Sequence, residues 1–114
     1  MSVISMKSYD YCAVHDDFKA CSEFFQAIGS ETRQGIILYL ITVGSEGARV
    51  GQITEQTHLS RPAVSHHLKI LKDAKVVSVR QEGAMNFYFI DIEEGLPKLE
   101  KILYDVKTLI SDAN

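Results

Sequence analysis

With 114 residues and 12.8 kDa the chain has room for one modest hydrophobic core, and a second copy would help to stabilise it. Its 46% hydrophobic and 24% charged residues match an ordinary globular mix, and no apolar run approaches the roughly 18 residues of a membrane span. The net charge of -3 conceals a basic centre between acidic ends: residues 57–80 hold five bases and one acid, whereas residues 1–31 and 91–114 each carry -3. The N-terminus has no basic stretch leading into an apolar segment and a small-residue cleavage site, so a cytoplasmic location is expected.

Residues 1–9 show no period and are expected to be a flexible arm, leaving 10–114 as a single domain. Tyr11, Val14, Phe18, Cys21, Phe25 and Ile28 recur at steps of three and four, the stripe of an amphipathic first helix that ends at Gly29. Ser30 supplies an N-cap oxygen for a second helix with Ile36, Ile37, Leu40 and Ile41 as its core face. Gly44 and Gly47 stop it. A short third helix is expected from Val50 to Thr57, with Val50, Ile53 and Thr57 on one side. After the turn His58-Leu59-Ser60 comes a fourth, whose first turn tolerates Pro62 because an amide there has no intrahelical acceptor to lose. Val76–Arg80 and Asn86–Ile90 are β-rich runs around a Gly-containing turn, hence a hairpin. Pro97 then opens a last helix with Leu99, Ile102, Leu103, Val106, Leu109 and Ile110 at helical spacing.

Two helices joined by so tight a turn read as a helix-turn-helix. Turning the fourth helix by about 100° per residue places Arg61, Pro62, Ser65, His66, Lys69 and Lys72 on one arc and Val64, Leu68, Leu71 and Ala74 broadly opposite. One side packs, and the other offers donors suited to base edges and phosphates in a DNA major groove. His67 points about 100° away from His66, toward the packed side, and reads as structural. Arg80 is placed where a wing would meet phosphates or the minor groove. The expected fold is therefore mainly α with a β-hairpin wing, in the order α-α-α-α-β-β-α.

The segment LSRPAVSHHLKILKDAKVV, the hairpin VVSVRQEGAMNFYFID after it, and Ala27-Ile28-Gly29-Ser30-Glu31-Thr32-Arg33 at the second helix together resemble the ArsR/SmtB-type winged-helix repressors of bacteria, over roughly Phe24 to Ile110. The resemblance implies a sequence-specific, dimeric repressor of double-stranded DNA at an inverted-repeat operator. It puts Ser60, Arg61, Ser65 and His66 nearest the bases and the wing around Arg80 on the backbone; the full DNA-contacting set is Ser60, Arg61, Pro62, Ser65, His66, Lys69, Lys72 and Arg80. The homodimer would be built on the first and last helices through Tyr11, Val14, Phe18, Phe25, Leu99, Ile102, Leu103, Val106, Leu109 and Ile110. Many members carry a basic residue after the wing glycine, where this chain has Ala84.

Relatives bind metal through a Cys-x-Cys pair on the helix before the recognition helix, or through Asp and His on the last helix. The first stretch corresponds to Arg49–Thr54, which has no thiol, and residues 96–114 offer Asp105 and Asp112 without a histidine. No metal or other cofactor is expected. Cys12 and Cys21, on one continuous helix, would be separated by roughly 900° of rotation and 13.5 Å of rise, too far for a disulfide. Cys12 with His15 and Asp16 makes an i, i+3, i+4 group, and Cys21 lies on the apolar stripe. A thiol-based redox or metalloid sensor through Cys12, His15 or Cys21 is thus the second reading, and a winged-helix protein-interaction module the third. An enzyme is not expected: no Gly-rich phosphate loop, nucleophile elbow or nucleophile with a positioned base occurs.

Overall fold

The computed structural model describes residues 12–113, so the arm at 1–9 and Tyr11 lie outside the described residues. Residues 12–20 are helical (α1). They are followed by α2 (Ser22–Ile28), α3 (Glu31–Val43), a 3-10 turn (Gly44–Glu46), α4 (Val50–Thr57), α5 (Arg61–Asp73), β1 (Val77–Glu82), β2 (Met85–Ile90) and α6 (Gly95–Ala113). Mainly helical with one antiparallel hairpin, this is a winged helix. Among the described residues five α-helices precede the hairpin where four are expected, because the first is interrupted at Cys21. The Cys21 amide is shared between Asp17 O (3.1 Å) and Phe18 O (3.2 Å), and Ser22 Oγ also donates to Phe18 O at 3.2 Å. A hydroxyl bonded to the carbonyl four residues back competes with the helical amides for that acceptor.

The described residues form two compact units, Glu23–Ile92 and the segments up to Ser22 and from Glu93. In the first, caps set the helix boundaries. Ser30 Oγ accepts from the Arg33 amide at 3.3 Å to start α3, and Gly44, at φ 67°, ends it. Gly47 sits at φ 74°, and a Cβ there would lie 2.8 Å from Tyr88 O. Only glycine fits, and its absence of a side chain lets Ala48 and Tyr88 exchange two hydrogen bonds of 2.8 Å, tying β2 to the segment before α4. The hairpin pairs Val77↔Ile90 through Glu82↔Met85 across a two-residue Gly83-Ala84 turn, with Gly83 at φ 63°.

Ile36, Leu40, Ala48, Ile53, Val64, Leu68, Leu71, Val76 and Val77 form the core of this unit. Ile37 packs at its edge, but Ile41, expected on the core face, is 57% exposed. It stands about 140° around α3 from Ile36, past the stripe that α4 and β2 cover. In the other unit Val14, Cys21 and Ile102 are buried, and Lys101 Nζ bridges Asp17 (2.7 Å) and Asp105 (2.8 Å). Hydrogen bonding to Asp105, then to Asp17, raises the Lys101 pKa, and the bond from Lys101 lowers that of Asp105. The last helix begins two residues before Pro97, which falls in its first turn. Among the described residues no helix is long and apolar enough to cross a membrane.

Candidate nucleic-acid interface

The angle between α4 and α5 is set by three residues. His58 closes α4 in the left-handed region, φ 59° and ψ 22°, and its amide donates to Thr54 O at 2.9 Å. Leu59 packs against the core, and Ser60 Oγ accepts from the Ala63 amide at 3.3 Å to open α5. Arg61 and Pro62 occupy the first turn. By sequence His58 is simply a turn residue; a histidine does not announce a left-handed backbone as glycine or asparagine would.

From that start α5 presents two unlike sides. Val64, Leu68 and Leu71 are 1% exposed or less, whereas Ser60, Arg61, Pro62, Ser65, His66, Lys69 and Lys72 are all exposed. Lys69 Nζ pairs with Asp73 at 2.9 Å in solvent, a contact that holds the side chain along the helix and contributes little to stability. The Arg61 guanidinium lies back toward α4, its Nη2 3.1 Å from where a Gly51 Cβ would stand. It thereby joins Arg49, Gln52 and Asn86 around an open cleft of about 550 Å³ between α4 and the hairpin tip. Of its two bases, Arg61 belongs to the DNA-contacting set expected from sequence and Arg49 does not. Gly51 inside a helix was the available signal, since an interior glycine invites a close neighbour.

Arg80 pairs with Phe87 in mid-strand. Its Nη1 donates to Ser45 O (3.0 Å), Nη2 to Glu46 O (2.8 Å) and Nε to Glu82 Oε2 (3.0 Å), while the guanidinium lies 5.3 Å from the Phe87 ring centre and 5.9 Å from that of Phe89. The residue placed on DNA by sequence thus has its guanidinium clamping the wing to the Gly44–Glu46 turn. At the far end of α5, Lys75 adopts φ 64°, its amide donating to Lys72 O (3.1 Å) and that of Val76 to Leu71 O (2.9 Å), which turns the chain sharply into β1.

His67 is half-buried on the flank of α5, its ring 5.8 Å from that of His66. Burial, then the charges of Arg33 and His66, hold its pKa below the ordinary histidine value. Cys12 is exposed and Cys21 buried, both as free thiols. Among the described residues no three His, Cys, Asp or Glu side chains gather where they could hold a metal, so Cys12, His15 and Asp16 do not assemble into such a group.

Residues 30–79 match the family model described as bacterial regulatory protein, arsR family. The chain is 34% identical over 88 residues to an HTH-type transcriptional regulator of Methanocaldococcus jannaschii, covering 77% of this chain and 96% of that one. It is 40% identical over 67 residues to the transcriptional repressor SdpR of Bacillus subtilis, covering 59% and 71% respectively. Among solved structures, an ArsR family transcriptional regulator shares the fold with a TM-score of 0.65 at 22% identity, over 79% of this chain and 89% of that one.

Proposed function

This chain belongs to the arsR family, DNA-binding transcription regulators with a winged-helix fold rather than enzymes, and on that premise we propose that it is a homodimeric repressor of an inverted-repeat operator. The observation that carries the reading is the division of α5 into a buried apolar side and an exposed face of Ser60, Arg61, Pro62, Ser65, His66, Lys69 and Lys72. Ser65 and His66 are the base-reading pair, and Lys69 and Lys72 follow the phosphates. Arg61 and Arg49 add phosphate contacts from the α4 cleft, and Arg80 serves the wing by anchoring it. The sense of repression is supported by the likeness to SdpR.

Dimerisation is supported by α6, whose Leu103, Tyr104 and Ile110 are exposed apolar side chains on one chain. Binding to successive major grooves requires the two recognition helices of such a dimer to stand about 34 Å apart. The regulator works in the cytoplasm with double-stranded DNA as its partner. No resident metal enters the reading, because the Arg49–Thr54 stretch offers no thiol.

Operator selection from random duplexes, followed by gel-shift titration, tests this. His66→Ala is expected to lower affinity for the selected site roughly 5- to 150-fold more than for random DNA, the roughly 1–3 kcal/mol of a base contact. Lys72→Ala is expected to weaken both alike and to reduce the salt slope by about one. An unchanged preference in His66→Ala would remove the base-reading assignment, and the absence of any enriched site would remove operator binding.

A further inference from the structure

Arg33 stands in the first turn of α3, where its guanidinium reaches three groups on two other helices. Nε donates to Ala27 O at 2.8 Å and Nη2 to Gln26 O at 3.1 Å, two carbonyls of the last turn of α2 that lack helical partners. Gln34 Nε2 completes that end by donating to Ile28 O at 2.8 Å. The third reach of Arg33 is to α5: Nη1 lies 3.3 Å from His67 Nδ1.

A guanidinium has no acceptor, so in this contact Nδ1 must carry the lone pair and the ring proton of neutral His67 must sit on Nε2. The planar fork is already oriented by two backbone carbonyls, which makes its third N–H a fixed reference for α5. The apolar contacts of Val64, Leu68 and Leu71 seat α5 on the core but are non-directional, whereas a hydrogen bond from the flank fixes its rotation. Ser65 and His66 are the two residues immediately before His67, so a small rotation at His67 displaces both.

We propose that Arg33 and His67 form a joint that positions the recognition helix on the α2–α3 corner, so that operator affinity depends on an unprotonated His67 Nδ1. His67 is a positioning residue here and touches no base. The inference rests on the proposed DNA-binding function. The charged groups facing His67 are Arg33 from α3 and His66 from its own helix, and α2 contributes only the carbonyls that Arg33 holds. Protonation at Nδ1 replaces the acceptor by a cation against a cation. Burial, Arg33 and His66 hold the folded-state pKa below the unfolded value, so the unfolded chain binds more protons in this window. The joint is complete above the ordinary histidine range and is lost as pH falls through the lowered value.

The test compares wild type, His67→Asn and His67→Phe by fluorescence anisotropy on the selected operator duplex between pH 5 and 8, alongside thermal unfolding. Asn places an acceptor oxygen near the Nδ1 position and does not titrate, whereas Phe keeps the ring shape and removes the acceptor. At pH 7.5 His67→Phe is expected to bind roughly tenfold more weakly and His67→Asn within about threefold of wild type. Wild-type affinity should fall further on acidification than that of His67→Asn, whose amide oxygen stays an acceptor throughout. Equal affinities for Phe and Asn, or the same pH profile in wild type and His67→Asn, would overturn the joint while leaving operator binding intact. Failure of wild type itself to bind any duplex would instead remove the function on which the joint depends.

Discussion

In the Glu23–Ile92 unit, α5 carries its apolar residues at helical spacing and buries Val64, Leu68 and Leu71 almost completely; in the other unit, α6 carries the same spacing over 19 residues and does not. Ile102 is its one large buried side chain among the described residues, while Leu103 is 62% exposed, Tyr104 70% and Ile110 58%. Periodicity records which face of a helix is apolar, not what covers it. The excess on α6 is what a helix shows when its second surface belongs to another molecule. The proposed homodimer supplies that surface.

Three substitutions test the contrast. Leu71→Ala, in the closed core, is expected to cost about 2–5 kcal/mol in urea denaturation, the transfer loss plus an unfilled cavity. Gly47→Ala should cost about 1–3 kcal/mol, because it forces both a left-handed backbone on alanine and a 2.8 Å contact with Tyr88 O. Its signature is loss of hydrogen-exchange protection at the Ala48 and Tyr88 amides before the rest of the core. Leu103→Lys is expected to change the stability of the Glu23–Ile92 unit by less than about 0.5 kcal/mol, read by hydrogen exchange, while weakening self-association in sedimentation equilibrium. If Leu103→Lys left association unchanged and cost as much as Leu71→Ala, α6 would have to be reassigned to the chain's own core.

Local rules made much of this unit legible from sequence. The span Val50–Thr57, the Ser60 cap, Pro62 in the first turn and the buried Val64, Leu68, Leu71 and Ala74 rest on spacing and capping chemistry that act within a few residues. What escaped involves partners far along the chain or competition for one atom. Ile41 has the right hydrophobicity and the wrong angle, which depends on how wide a stripe α4 and β2 cover. The break at Cys21 turns on a hydroxyl competing for the Phe18 carbonyl. Arg33 meets His67 from 34 positions away, and Arg80 finds its carbonyls at Ser45 and Glu46, contacts that no periodicity encodes.

A two-stranded hairpin is marginal by itself, yet this one is held at Tyr88 by Ala48 and at Arg80 by the Gly44–Glu46 turn. Only two rungs, Gln81↔Asn86 and Glu82↔Met85, lie beyond those fastenings. The wing is thus a short prong on a stiff mount. Its base keeps a set height relative to the first helix of the helix-turn-helix, which leaves the six residues from Gln81 to Asn86 as its free tip. If the wing meets the minor groove, sequences whose minor groove is narrow or wide at that point would be told apart by the reach of this prong, at base pairs beyond those read by α5 in the proposed complex.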